Sequence, residues 1–483
     1  MCNSTGSSGN LPLAMQSFVV EAPVQCREHT GGQQEWDVLG VGQAMVDFAA
    51  SVDEGMLQSL NVPKGGRRVI SVPERAEVMQ LLDGCDSQVS AGGSLANTLV
   101  GLGQLTAAQE RSDSSSSTPA STASTDSVRV GMTGCVGGSD ALGEFARAQL
   151  QAAGVDVVGP GPTSNATGVV MVFTTPDAQR SFLSSFSSED SLHMSQQLQD
   201  AAASARLLLI EGYMWETEGA AEAIPALVRH ARSVGTLVAL TAGDAGVVER
   251  HGAKVLQAIA AGVDIWFGNE AEAAALVQHL HAQQAEQQQA RAALEQQQQD
   301  AVAADLLEDE EQDFTAMQLE RLGSSAANNK AAGIGGSSAS SSASSPASHS
   351  SSSNGMQQPS GMDAALQLAS ACPMVVVTDG SKGSYITAMG QLVVVPPYWS
   401  TKPPVDTCGA GDAYAAGLLY GFLCGLDLHS MGHLAAKTAS AVIAKHGPQL
   451  SPEDAEWVVA GLRRPSRAGV AAAAATASSA DAS

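Results

Sequence analysis

The segment Asp406-Thr407-Cys408-Gly409-Ala410-Gly411-Asp412 sets two carboxylates around a run of small residues, directly before the apolar pattern Ala413-Tyr-Ala-Ala-Gly-Leu-Leu. Small residues at a helix start leave the amides of Gly409, Ala410 and Gly411 unshielded, and the helix dipole makes them a nest for an anion. Asp412 then stands where an incoming hydroxyl could surrender its proton. Phosphoryl transfer asks a protein for position, neutralised charge and a base, and this segment offers all three. A plainer reading makes Asp412 only a favourable charge at the positive end of a helix. That accounts for Asp412, but not for the glycines before it or for Asp406.

Two further glycine-rich segments share the chain. In Ala91-Gly92-Gly93-Ser94-Leu95-Ala96-Asn97-Thr98 the paired glycines allow close backbone approach to a ligand, and Asn97 both donates and accepts. A tight turn capped by Ser94 is the equal alternative. Thr378-Asp379-Gly380-Ser381-Lys382-Gly383 follows an apolar strand, where the carboxyl end of a parallel sheet takes ligands. An ordinary strand–turn–strand connection explains it as well, with Lys382 a solvated turn lysine rather than a phosphate contact. No G-x-x-x-x-G-K-[ST] occurs, and the first strand–turn lacks G-x-G-x-x-G, which excludes a Walker loop and a dinucleotide fingerprint. His279 and His281 fall on different faces of a helix with no further ligand at a metal spacing.

The elements that must position these residues read as a strand–helix alternation. Asp37–Asp47 reads as a buried strand running into a glycine-marked turn. Further strands are expected at 128–132, Val169–Thr174, Arg206–Ile210, Leu237–Thr241, Asp264–Phe267, Met374–Thr378 and Gln391–Pro396. Helices are expected at Ala141–Ala153, Gly219–Val234, Glu270–Leu280 and Gly411–Gly425. Such alternation implies an α/β fold with a mostly parallel central sheet. Low-complexity stretches at about 110–126 and 281–360 interrupt it; the second begins Gln/Ala-rich, where the preceding helix can continue, and ends in a Ser/Gly run that reads as a disordered loop. Residues 1–35 read as a disordered N-terminal segment, 36–462 as one domain, and 463–483 as a disordered tail.

The 483 residues carry a net charge of −25, with 44% hydrophobic but only 15% charged and 4% aromatic residues. Disordered Ser/Ala/Gln-rich sequence diluting an ordinary domain produces that balance. The acidity argues against nucleic acid as a partner, since no basic stripe neutralises phosphates. No apolar run approaches the roughly 20 residues of a membrane span. Seven widely spaced cysteines without a C-x-x-C pair fit a reducing, cytoplasmic compartment.

With these segments in this order, the sequence resembles the ribokinase-like, or PfkB, family of carbohydrate and nucleoside kinases. Asp406–Asp412 is similar to its D-T-x-G-A-G-D signature and Ala91–Asn97 to its first signature. Gly138-Ser-Asp140-Ala-Leu-Gly143 is like G-x-D-x-x-G, Asn269-Glu-Ala-Glu272 like N-x-x-E, and Thr378–Gly383 like its nucleotide-binding turn. The resemblance implies a three-layer ribokinase-like sandwich with a small β-lid, here from about 48–72 and 165–186, with Arg180, Phe182 or Phe186 as candidates to face the site and packing within the lid as the other reading for the two aromatics. It implies Asp412 as catalytic base and Gly409, Ala410 and Gly411 as the anion hole. Asp47, Gly92, Gly93, Asn97 and Glu211 would bind the acceptor. Asn269, Glu272, Thr378, Gly380 and Gly383 would organise ATP and Mg²⁺, Glu272 acting on the metal through water. Asp406 matches a position linked to a monovalent cation such as K⁺.

The acceptor stays open between sugar and nucleoside. Asp264–Glu270 and Asn61–Gly65 resemble adenosine-kinase-like members, whereas Glu211–Glu216 resembles uncharacterised sugar kinases of cyanobacteria and plastids. That second likeness keeps a plastid or other organelle as an alternative location. A homodimer through the lid, and a regulatory or scaffold role in which catalysis is dispensable, are the remaining alternatives.

Overall fold

Ala205–Ile210, Leu237–Thr241 and Met374–Thr378 carry continuous aliphatic runs, the pattern of strands covered on both faces. The computed structural model describes residues 29–30, 33–82, 87–115, 127–159, 166–177, 179–186, 191–324, 359–400 and 402–462. In chain order its strands are β1 Trp36–Gln43, β2 Met45–Ser51, β3 Arg67–Val69, β4 Ser87–Gly92, β5 Val130–Cys135, β6 Val155–Val157 and β7 Gly168–Thr174. They continue as β8 Arg180–Ser185, β9 Ala205–Ile210, β10 Leu237–Thr241, β11 Ile265–Asn269, β12 Met374–Thr378, β13 Ser384–Ala388 and β14 Gln391–Val395. The chain divides into two units. One runs to His279 and resumes at Pro359, and it holds both sheets; the other is Leu280–Gln358.

The large sheet has the order β14-β13-β12-β11-β10-β9-β1-β5-β6. From β12 to β6 every pairing is parallel, and the β12–β13–β14 meander closes one edge antiparallel. Val38, Leu207, Leu209, Ala239, Ile265 and Val376 bury one face under the helices Ser94–Ser115, Ala410–Leu423 and Leu428–Ile443. The alternate residues Leu39, Val41, Leu208, Val238 and Trp266 are equally buried. The helices Gln196–Ala203, Ala220–Ser233 and Ala245–Gly262 belong to this opposite layer, giving the expected three layers. Ala410–Leu423 is buried all round from Ala413 to Gly421, as a helix enclosed by others must be.

The second sheet, β3-β8-β7-β2-β4, is the lid. One face packs Ala50, Val169, Met171, Phe173 and Leu183 against Leu57, Leu60, Ile70 and Val78. Since strand side chains alternate, the other face carries Asp47, Val170, Val172, Arg180, Phe182 and Ser184. Arg67 joins them, because it lies in register with Phe182 on the neighbouring strand. The lid exceeds the expected two segments, since β4 at 87–92 and the helix Val72–Leu81 also contribute.

Three other expectations are corrected. Asp37–Asp47 is not one strand ending in a turn: β1 passes into β2 through Ala44, so Asp47 belongs to the lid sheet. Gly42 serves close approach there, since a Cβ would lie 2.5 Å from Glu211 Oε2. The stretch at 110–126 is helical as far as Ser115, the end of the Ser94 helix, and 116–126 lie outside the described residues. The helix expected over Glu270–Leu280 does continue into the Gln/Ala-rich stretch, running 55 residues, Glu270–Ser324, and Ser360 caps the next one, Gly361–Leu368. Ordered backbone also begins before Asp37: the amides of Thr30 and Glu35 donate to the carbonyls of Val234 and Ser204. The rest of the 281–360 stretch, 325–358, lies outside the described residues, as do 1–28 and the tail 463–483. Among the described residues no helix is long and apolar enough to cross a membrane.

Candidate active site

The chemistry-bearing residues gather at the carboxyl ends of neighbouring parallel strands. Gln43 closes β1, Glu211 follows β9, Asp244 follows β10, Asn269 ends β11, and Thr378 ends β12. The strand order turns outward in both directions from β1 and β9, the switch point where open α/β sheets bind ligands.

Asp412 lies in the first turn of the Ala410–Leu423 helix, half-buried. Its Oδ1 accepts from Ser94 Oγ at 2.6 Å and its Oδ2 from Asn97 Nδ2 at 3.2 Å. Ser94 therefore spends its hydroxyl on Asp412 rather than on capping its own helix. Desolvation outweighs these two bonds and pushes the Asp412 carboxyl up to about 6. Gly409 caps the helix at φ +72° and, being glycine, offers no side chain to the helix's first amides, while the Ala410 amide donates to the Thr407 carbonyl at 3.3 Å. A Cβ on Gly411 would meet nothing within 4 Å, so the backbone there opens onto free space. A helix start without a side-chain cap, a helix dipole and open space at Gly411 together suit an anion.

Asp47 approaches from the lid. A Cβ on Gly92 would sit 2.0 Å from Asp47 Oδ1, so glycine alone lets that carboxylate lie against the β4 backbone. Asp47 Oδ1 and Asn97 Oδ1 are buried without a hydrogen-bond partner among the described residues. Buried acceptors left open in this way are suited to donors from a bound molecule. Burial, reinforced by the charge of Asp412, pushes the Asp47 carboxyl up to about 7. Gly93 turns the chain at φ +97° from β4 into the Ser94 helix.

Glu211 performs a different task. Its Oε2 accepts from the Gln43 amide at 2.8 Å and its Oε1 from the Leu95 amide at 3.2 Å, clamping the end of β1 to the start of the Ser94 helix. It is 2% exposed, and burial pushes its carboxyl up to about 7 against the pull of those amides. Asn269 and Glu272 form a reciprocal capping box. The Asn269 amide donates to Glu272 Oε2 at 2.8 Å, and the Glu272 amide to Asn269 Oδ1 at 3.0 Å. Desolvation again leads in raising Glu272 to about 7, with the charges of Asp244 and Asp412 adding to it. Gly380 and Gly383 adopt φ +51° and +102° in the turn after β12, where Lys382 Nζ is held by Asp379 at 3.1 Å.

Asp406 is engaged on both oxygens. Oδ1 accepts from the Cys408 amide at 2.7 Å, Oδ2 accepts from the Gly447 amide at 3.0 Å, and Arg180 of the lid pairs with Oδ2. These donors hold its carboxyl below the usual carboxylate range despite the opposing cost of burial. The G-x-D-x-x-G segment stays structural: Asp140 caps its helix through the Gly143 amide at 2.8 Å and accepts from the Thr167 amide at 2.9 Å, just before β7. Two partnerships escape sequence reasoning, Ser94 with Asp412 and Arg67 with Asp244 at 2.5 Å. Only strand register and the meeting of distant elements reveal them.

A fold of this layout, with a glycine-rich helix start facing a lid carboxylate, defines a class of phosphotransferases. The chain belongs to the pfkB family of carbohydrate kinases, whose family profile matches residues 72–306 and 345–455. An uncharacterised sugar kinase of Archaeoglobus fulgidus is 46% identical over 74 residues, 15% of this chain and 29% of that protein. A nucleoside kinase of Methanocaldococcus jannaschii is 37% identical over 90 residues, 19% of this chain and 30% of that protein. The chain thus spans under a third of the length of these curated relatives. Among solved structures, a probable sugar kinase from Rhizobium etli superposes with TM-score 0.61 at 22% identity, covering 89% of this chain and 100% of that one. An adenosine kinase from Sinorhizobium meliloti gives TM-score 0.59 at 24% identity, covering 92% and 99%. At these identities the structural likeness speaks for the fold alone.

Proposed function

We propose that the protein is an ATP-dependent kinase that phosphorylates a hydroxyl of a sugar or nucleoside. The observation that carries this reading is the setting of Asp412: a carboxylate at an uncapped helix start, held by Ser94 and Asn97, with the open oxygen of Asp47 on the facing lid. Asp47 and Asn97 bind and orient acceptor hydroxyls. Asp412 accepts the proton of the attacking hydroxyl, and the amides of Gly409, Ala410 and Gly411 face the charge on the moving phosphoryl group. A carboxyl near pKa 6 is ionised at neutral pH, and late proton transfer needs no stronger base.

The residues fit the nucleotide this chemistry requires. Open backbone at Gly411 and the turn at Thr378, Gly380 and Gly383 would hold its phosphates, with Glu272 and Asn269 beside the metal. Among the described residues no three His, Cys, Asp or Glu side chains converge on a metal cage. Mg²⁺ would be held by phosphates and water, with a carboxylate outside them. When bound, the metal neutralises phosphate charge. Arg180 and the lid exclude water from the acceptor.

The test is ATP-dependent phosphorylation of a panel of sugars and nucleosides, read as product by mass spectrometry. Asp412→Asn, nearly isosteric, is expected to lose on the order of 10²-fold or more in turnover. Equal turnover by that variant removes Asp412 from the mechanism.

A further inference from the structure

We infer that the acceptor is a compact neutral sugar or polyol rather than a nucleoside, and that Arg67 sets this choice by occupying the aromatic end of the cleft. The inference rests on the kinase reading and narrows its acceptor.

Arg67 is on the cleft face of the lid, in register with Phe182, while Arg68 turns to the opposite face and pairs with Glu74. The Arg67 guanidinium lies over two rings at once, 5.2 Å from the centre of Phe186 and 5.0 Å from that of Tyr213. Both distances are those of cation–π contacts. Its Nη1 also pairs with Asp244 Oδ2 at 2.5 Å, while Asp244 Oδ1 caps the following helix through the Val247 amide at 2.7 Å. The cation is therefore fixed from three sides.

Tyr213 stands two residues after Glu211, whose carboxylate clamps the Ser94 helix that holds Asp412. Arg67, at the centre of the stack, shares the lid face that carries Asp47. Aromatic rings from two facing elements are natural platforms for a nucleobase, which stacks on them. Here the guanidinium takes one face of each ring. A base entering would have to displace a cation held by both rings and by a carboxylate. A sugar needs no such platform. It needs hydrogen-bonding groups, which Asp47 and Asn97 supply.

Charge argues for neutrality. Arg67 and Arg180, which share this face of the lid, pair with Asp244 and Asp406, and Arg180 Nη1 is a buried donor without a hydrogen-bond partner among the described residues, open to a hydroxyl of the acceptor. Asp47 on this face and Asp412 on the helix opposite add negative charge as they ionise, which repels an anionic acceptor.

The experiment compares kcat/KM of the full-length protein, with Mg²⁺-ATP, for neutral pentoses, hexoses and polyols, for nucleosides, and for sugar phosphates. The wild type is expected to favour a neutral sugar or polyol by about 100-fold over every nucleoside. Arg67→Ala is expected to move the nucleoside-to-sugar ratio toward nucleosides by about tenfold or more. Asp244→Asn, which releases the guanidinium without emptying the space, is expected to move it in the same direction by less, and it carries the test if Arg67→Ala does not fold. A wild type that prefers a nucleoside or a sugar phosphate overturns the inference while leaving the kinase reading intact. An unchanged ratio in folded Arg67→Ala and Asp244→Asn overturns the role of Arg67. Turnover of no acceptor at all sinks the kinase reading, and this inference with it.

Discussion

Ser94 Oγ donates to Asp412 Oδ1 at 2.6 Å, joining the starts of two helices 318 residues apart in sequence. The bond favours the ionised carboxylate and so opposes the desolvation that raises it. Ser94→Ala removes a stabiliser of the charged form, so the Asp412 pKa must climb above about 6. A base works only when deprotonated. The acid limb of kcat/KM is therefore expected to move to higher pH in Ser94→Ala, with activity at pH 8 much less affected. An acid limb that stays in place, measured from pH 5 to 8.5, would separate Ser94 from the base.

Arg180 ties the lid to the segment that begins at Asp406. Both side chains are largely buried, 18% and 3% exposed, and Asp406 keeps only its two backbone donors when the arginine goes. Arg180→Leu is expected to cost about 1–3 kcal/mol in urea denaturation, the usual penalty for a buried group left under-satisfied. A lid less firmly closed also admits water. Acceptor-independent ATP hydrolysis, followed as phosphate release, is expected to rise relative to transfer. A variant with wild-type stability and coupling would show that the pair is incidental.

Gly92 is where the lid carboxylate meets backbone. An alanine Cβ would lie within 2.0–2.3 Å of all three carboxyl atoms of Asp47, so the side chain must swing away. The expected consequence of Gly92→Ala is an acceptor KM raised about tenfold or more with the ATP KM unchanged, since one oriented acceptor contact is lost. Saturation curves for each substrate check it. A rise in the ATP KM instead would place Asp47 on the nucleotide side.

Much of this was legible beforehand, for physical reasons that differ by element. Leu237–Thr241 and Met374–Thr378 are uninterrupted aliphatic runs in a sheet covered on both sides, so their bounds match the expected ones. The Asp412 helix start was legible because its small residues suit few other local structures. The passage from β1 to β2 was not. Gly40 and Gly42 look like a turn, yet Gly42 is there to admit Glu211, which arrives just after β9 from a distant part of the chain. The polar helical turns beyond Gln109 and beyond Leu280 carry no apolar period to read. Arg67–Asp244 and Ser94–Asp412 depend on lid register and helix placement, which no local pattern encodes.

Glu211 gives a pH dependence of stability whose sign follows from its burial. Its carboxyl is raised from 4.5 to about 7 in the folded protein, chiefly by desolvation. Between those values the folded state retains a proton that the unfolded chain has lost. Stability from this group therefore falls as pH rises from about 4.5 to about 7, then levels off. Glu211→Gln cannot titrate and keeps a carbonyl oxygen for one of the two amides. Urea midpoints for wild type and variant at several pH values from 4.5 to 8 are the measurement. The difference in stability, variant minus wild type, is expected to grow more positive through that window, by at most about 1.4 kcal/mol per pH unit crossed. Other titrating groups common to both proteins cancel in that difference. A difference independent of pH would mean that Glu211 holds the Gln43 and Leu95 amides as an ordinary ionised carboxylate.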